Sequence, residues 1–195
     1  MPVHDQILAL QRAQLQHDER YHRDILLLPV GERMKHFALH FAKYVGYLFE
    51  SLDQGDQDRY KKVIVDSLII GLASANTLNV NLGESLDQPR EPMPDSVALL
   101  GDVLGRELGR PADDRIWIIK QMARHTARLA KACESLDHVE GYPFRAVMED
   151  SVLNLFKLLL SEAAFQKINI SAMSGNRLEE VESKHILHRF FAQEL

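Results

Sequence analysis

Residues 34–79 read MKHFALHFAKYVGYLFESL, then DQGDQD, then RYKKVIVDSLIIGLASANTLN. In the first stretch Met34, Phe37, Leu39, Phe41, Val45 and Leu48 recur at helical spacing, which predicts a helix running to about Leu52. The polar loop Asp53 to Asp58 turns the chain, and a second helix from near Arg59 to Asn79 carries Val63, Ile64, Leu68, Ile69, Ile70, Leu72 and Leu78. It is apolar around so much of its circumference that it belongs at the centre of the molecule. A helical hairpin of this kind cannot cover its own apolar faces, so it demands partners of the same sort, and the fold class that follows is all-α.

The partner is a second hairpin in the same chain. A shift of 84 residues lays Glu50-Ser-Leu-Asp53 on Glu134-Ser-Leu-Asp137, and Val63, Asp66 and Ser67 on Val147, Asp150 and Ser151, so that 7 of 18 positions are identical. Tyr60 with Phe144, Lys61 with Arg145 and Ile64 with Met148 are conservative pairs, and Val80-Asn-Leu82 recurs as Ile168-Asn-Ile170 with four extra residues. Two such copies face to face give a four-helix core with pseudo-twofold symmetry.

The remaining segments arrange themselves around that core. Ile7, Leu8, Leu10, Leu15, Ile25 and Leu28 predict one long helix or two short ones before Pro29. The stretch from Gly83 to Asp95, with Pro89, Pro92 and Pro94, excludes an interior helix or strand and marks the internal boundary. Ser96 to Leu108 predicts a short helix, Asp113-Asp114 opens a longer one, Phe144 to Phe165 predicts another, and a break at Ser174-Gly-Asn176 precedes a final helix from Arg177 to about Gln193. The expected layout is a single all-α domain over 1–195. Within it, 34–82 is the first hairpin, 83–115 a Pro-rich linker with a short helix, 116–172 the second hairpin and 173–195 a C-terminal helix.

Composition bounds the setting. With 195 residues and 46% hydrophobic content the chain can bury a substantial core. A single cysteine, Cys133, fits a reducing compartment, and the absence of a signal-like or 18-residue apolar run disfavours secretion and membrane spanning, so a soluble, cytoplasmic protein is expected. The formal charge of −5, with basic residues scattered among acidic ones, lacks the footprint of a nucleic-acid binder. Ile186, Leu187, Phe190 and Phe191 near the end of the chain, or the first helix, are where contacts with a second copy are expected.

The stretch His36-Phe-Ala-Leu-His-Phe-Ala-Lys-Tyr-Val-Gly-Tyr-Leu48, its polar turn and Val63-Ile-Val-Asp-Ser-Leu-Ile69 resemble the MazG-like all-α nucleoside triphosphate pyrophosphohydrolases. The resemblance covers mainly residues 34 to 82, with a fainter echo from 118 to 170. It implies two helices whose Glu-x-x-Glu and Glu-x-x-Asp motifs hold Mg2+, which bridges a triphosphate and helps activate water. Carried over by position, those acids fall on Tyr44, Tyr47, Val63 and Asp66, and in the second copy on Arg128, Lys131, Val147 and Asp150. Only Asp66 and Asp150 keep a carboxylate as metal candidates. The expectation is a degenerate metal site and a nucleotide- or phosphate-binding or regulatory role, with no catalytic residue assigned. An active Mg2+-dependent pyrophosphohydrolase using Glu50, Asp66, Glu149 and Asp150 is the alternative, and a structural interaction module the second.

Other patterns qualify the reading. His36 and His40 lie at i and i+4 with Lys43 and Tyr47 continuing the same stripe, a surface suited to an anionic phosphate compound next to Tyr44 and Asp66. The two histidines could also ligate a transition metal, although no third ligand is fixed by spacing. Glu19-x-x-His22 and Glu182-x-x-His185 match the spacing of di-iron bundles, for which Glu50 and Glu134 are the formally available further acids, and His17-Asp18 echoes the paired ligands of metal-dependent phosphohydrolases. Most of the nine histidines are expected to be structural or exposed.

Overall fold

The computed structural model describes residues 1–86 and 94–186, and every regular element among them is an α-helix: α1 (Val3–Tyr21), α2 (Arg23–Leu26), α3 (Val30–Gln54), α4 (Gln57–Leu78), α5 (Leu82–Leu86), α6 (Val97–Glu107), α7 (Trp117–Asp137), α8 (Phe144–Phe165) and α9 (Ile170–Ser183). Helix α3 packs on α4 and α7, and α8 packs on α4 and α7, closing a four-helix core. Phe41, Leu48, Ile64, Leu68, Ile119, Met122, Leu129, Leu155, Phe156 and Leu159 fill it with almost no exposed surface. Each such side chain contributes roughly 1.5–3 kcal/mol by leaving water, which is why the apolar spacing dictates the arrangement.

The turns of the two hairpins are built alike. Leaving α3, Gly55 takes a left-handed φ of 67°, its N–H donates to Leu52 O, and Asp56 N–H donates to Ser51 O. Leaving α7, Val139 takes a φ of 54°, its N–H donates to Leu136 O, and Glu140 N–H donates to Ser135 O, the same bonds 84 residues on. At the ends of α4 and α8, Asn79 and Lys167 are left-handed, and the N–H groups of Val80 and Ile168 donate to Ala75 O and Ala163 O, a displacement of 88 residues. Asn81 Oδ1 then accepts from Glu84 N–H and Asn169 Oδ1 from Ala172 N–H, starting α5 and α9 with the same cap.

The outer helices close on this core. Helix α6 lies so near α8 that a Cβ on Gly101 would stand 2.5 Å from Leu160 O and 2.8 Å from Ala164 Cβ, so only glycine fits there. Helix α1 packs on α4 and α5, and α9 packs on α4. Val3 and Ile7 of the first helix are thus buried within this chain. No helix among the described residues is long and apolar enough to cross a membrane.

Several boundaries differ from the sequence reading. The N-terminal stretch breaks at His22, giving a long α1 and a single turn α2. Helix α3 starts at Val30, directly after Pro29, because proline suits the position just before a helix and Gly31 tucks beneath Leu136. Gly83 lies inside α5, where its bare Cα lets the helix approach the backbone of His4. The break expected at Ser174-Gly-Asn176 is helical, since α9 is already launched by the Asn169 cap and Ser174 is buried in its middle. Pro89, Pro92, Leu187, Phe190, Phe191 and Gln193 lie outside the described residues.

Candidate functional site

A cavity of ≈ 300 Å³ opens between α1, α2, α3, α4 and α9. Five of the residues singled out by sequence line it together: His36, His40, Lys43 and Tyr44 from α3 and Asp66 from α4. Their gathering follows from helical spacing, because positions i, i+4, i+7 and i+8 of one helix share a face. His40 Nε2 stands 3.1 Å from His36 Nε2, and Lys43 Nζ lies 3.2 Å from His40 Nδ1 and 4.6 Å from the centre of the Tyr44 ring. Burial, then Lys43 and the neighbouring His36 and His22, push the His40 imidazole down to about 4, so it is neutral at pH 7. Burial, aided by Asp66, raises the Tyr44 phenol above its ordinary value and keeps it protonated.

Tyr47 does not join them. It is half-exposed, with its ring 5.2 Å from the Arg59 guanidinium, beside the α3–α4 turn. Asp66 is held by Arg177 of α9, whose Nε donates to Oδ1 at 2.6 Å and Nη2 to Oδ2 at 3.3 Å. Arg177 also meets Glu180 at 2.8 Å, and it too lines the cavity. Asp150 of α8 pairs with Arg128 at 2.9 Å on an exposed face of α7 and α8.

The opposite wall comes from α1 and its end, where the His17-Asp18 dipeptide meets His22, which the sequence offered only within the separate Glu19-x-x-His22 spacing. His17, Asp18 and His22 each offer a ligand atom, and these atoms lie within 4.8 Å of one another. Among the described residues this is the only group of three or more His, Cys, Asp or Glu side chains so gathered. His17 Nδ1 is 2.8 Å from Glu182 Oε1 of α9, and Asp18 Oδ1 accepts from Gln14 Nε2 at 2.8 Å. Burial raises the Asp18 carboxyl above, and lowers the His22 imidazole below, their ordinary values. The di-iron spacing is not used as a pair of motifs: Glu19 is exposed, and Glu182 serves His17.

The magnesium site implied by the family resemblance does not fit these residues. Mg2+ takes hard oxygen ligands, chiefly carboxylates and water. Tyr44, Tyr47 and Val63 bring no carboxylate, and Asp66 spends both oxygens on Arg177. The alternative acids are dispersed, each against its own arginine: Glu50 on Arg59, Glu149 on Arg145, Asp150 on Arg128 and Asp66 on Arg177.

A second concavity of ≈ 510 Å³ runs between α3 and α7, with Ala38, Leu39, Ala42, Val45, Ala127, Ala130 and Cys133 along it. It is apolar apart from Lys35, Thr126, Glu134 and Asp137, so it lacks the convergent polar groups of the first. No protein-family model, no curated protein and no solved structure matches this chain.

Proposed function

We propose that this chain binds a small phosphate-bearing molecule of the nucleotide class in the cavity between α1, α3, α4 and α9, as a binding or regulatory protein. The observation that carries the reading is the meeting of Lys43, Arg177, Tyr44, His36 and His40 in one ≈ 300 Å³ cavity. Lys43 supplies a charge-assisted donor for phosphate oxygens, and Arg177, already paired with Asp66 and Glu180, adds only its remaining Nη hydrogens. Tyr44 and the neutral His40 supply a ring surface and hydrogen-bonding groups for the rest of the ligand, the mixture of apolar wall and few polar groups common in small-molecule sites.

The finer architectural reading is a MazG-like four-helix core made of two diverged copies of one hairpin. Its support is the paired turn geometry: identical main-chain bonds 84 residues apart at the hairpin tips and 88 apart at the hairpin ends. In the second copy the positions of His36, His40 and Tyr44 fall on Lys120, Arg124 and Arg128, all exposed. The ligand therefore belongs to the first copy, which α1 and α9 cover.

Titration calorimetry of the purified chain with ATP, dATP and pyrophosphate, in chelator and then with Mg2+, tests the reading. Saturable binding that Lys43→Gln weakens by about tenfold or more is expected, since a hydrogen bond to a charged group contributes roughly 1.5–3 kcal/mol. Binding of none of these compounds overturns it. Pyrophosphate release that Asp66→Ala abolishes would replace it with the hydrolase alternative.

A further inference from the structure

We infer that His17, Asp18 and His22 form a binding site for a divalent first-row transition-metal ion on the α1 wall of the cavity. The three donor atoms lie within 4.8 Å of one another. Donors around a zinc ion with bonds of 2.0–2.2 Å are roughly 3–4 Å apart, a closure that side-chain rotation supplies. Two imidazoles and one carboxylate with open positions suit zinc, iron(II), cobalt or manganese better than Mg2+ or Ca2+, which favour oxygen ligands alone.

Local backbone geometry brings the set together. In an unbroken helix of 3.6 residues per turn, His22 would project about 140° around the axis from His17. At His22 the chain leaves α1 with φ −130° and ψ 35°. That break allows a residue five positions on to rejoin the face of His17 and Asp18.

The surroundings match what metal ligands need. The Nδ1 of His17 faces the Glu182 carboxylate at 2.8 Å, an orientation that leaves Nε2 with its lone pair for a metal and holds the ring in place. Asp18 is buried, and among the described residues no Lys or Arg pairs with it; one oxygen takes the Gln14 amide, and the side chain lines the cavity. Gln14 itself is 3% exposed, lines the same cavity, and its Oε1 has no hydrogen-bond partner. A buried carboxylate without a counter-charge beside an unsatisfied buried acceptor is costly. A bound cation relieves both, directly at Asp18 and through an ordered ligand water at Gln14. Three carboxylates, those of Asp18, Asp66 and Glu182, meet two cations, Lys43 and Arg177, around the cavity. A divalent ion reverses that balance. The inference stands on this cluster and does not require the phosphate ligand.

The test is metal content and affinity of the full chain after chelation and reloading with Zn2+, Mn2+ or Co2+, measured by elemental analysis and equilibrium dialysis. One tightly held ion per chain is expected, lost by at least tenfold in affinity in His22→Ala and Asp18→Asn and retained in His138→Ala, whose imidazole is exposed and remote. A visible Co2+ ligand-field spectrum in the wild-type chain, displaced by Zn2+, keeps the test decisive if a variant fails to fold. No retained ion and no cobalt spectrum, or retention unchanged in both His22→Ala and Asp18→Asn, overturns the assignment. Phosphate binding in chelator is scored separately, so loss of one result leaves the other readable.

Discussion

Replacing Glu162 by alanine should be among the most damaging single changes in this protein. The residue is 1% exposed in the last turn of α8. Its Oε2 accepts from Arg110 Nη2 at 2.5 Å and Nε at 3.2 Å, while Oε1 accepts from Tyr60 O–H at 3.0 Å and Gln166 Nε2 at 2.7 Å. One carboxylate thereby ties the first turn of α4, the α6–α7 connection and α8. The Arg110 side chain is only 12% exposed and lies 3.4 Å from the centre of the Phe165 ring, so it cannot turn to water without giving up that stack. Removing the acid leaves a buried guanidinium and a buried phenol unpaired, and breaking a buried pair from one side costs about 3–5 kcal/mol. Against a total stability of roughly 5–15 kcal/mol that is a large fraction. For a chain of this length it lowers Tm by roughly 6–20 °C. Urea unfolding of Glu162→Ala, Arg110→Met and the pair Glu162→Leu with Arg110→Met would check it. The double variant should recover most of the loss, because replacing both ions with apolar groups removes the orphaned charge. A Glu162→Ala loss below about 1 kcal/mol would refute the reasoning, since the contact would then behave as a solvated surface pair.

Further expectations follow from the same physics. Val139 is a β-branched residue held at φ 54° where the other hairpin has Gly55, so Val139→Gly should stabilise the fold by about 1 kcal/mol; a loss of stability by calorimetry would contradict the strain. Gly101→Ala should cost about 1–3 kcal/mol by forcing α6 off the Leu160 carbonyl, and an unchanged urea midpoint would show that the two helices separate freely. Burial first, then Asp137, pushes the Cys133 thiol up to about 11, leaving about one thiolate in a thousand at pH 8. Alkylation should therefore be slow until the chain unfolds, and rapid reaction of the native protein would count against this burial. The sign for stability also follows: the unfolded chain gives up that thiol proton near pH 8.5 and the folded one only near 11, so this group withdraws stability as pH rises through that window.

The sequence by itself determined the helical elements of the two hairpins and the stripe that becomes one wall of the cavity. Apolar residues three and four apart must share a face, and that face must be buried, so α3, α4, α7 and α8 were legible from Met34, Phe41, Ile64, Leu68, Met122 and Leu155. The same rule placed His36, His40 and Lys43 side by side. It did not separate Tyr47 from them: eleven residues make about three turns, so Tyr47 keeps the angular face of His36 but lies roughly 16 Å further along the axis, beyond the cavity, where its ring meets the Arg59 guanidinium. Nor does periodicity say which helix faces which. That Asp66 would meet Arg177 across 111 residues, or His17 meet Glu182 across 165, depended on α1 and α9 docking on α4. The helix break at His22, which lets His17, Asp18 and His22 converge, carries no breaker residue to announce it. Spacing governs neighbours on one helix; the cavity exists because α1, α2, α3, α4 and α9 bring their faces together, and packing decides that.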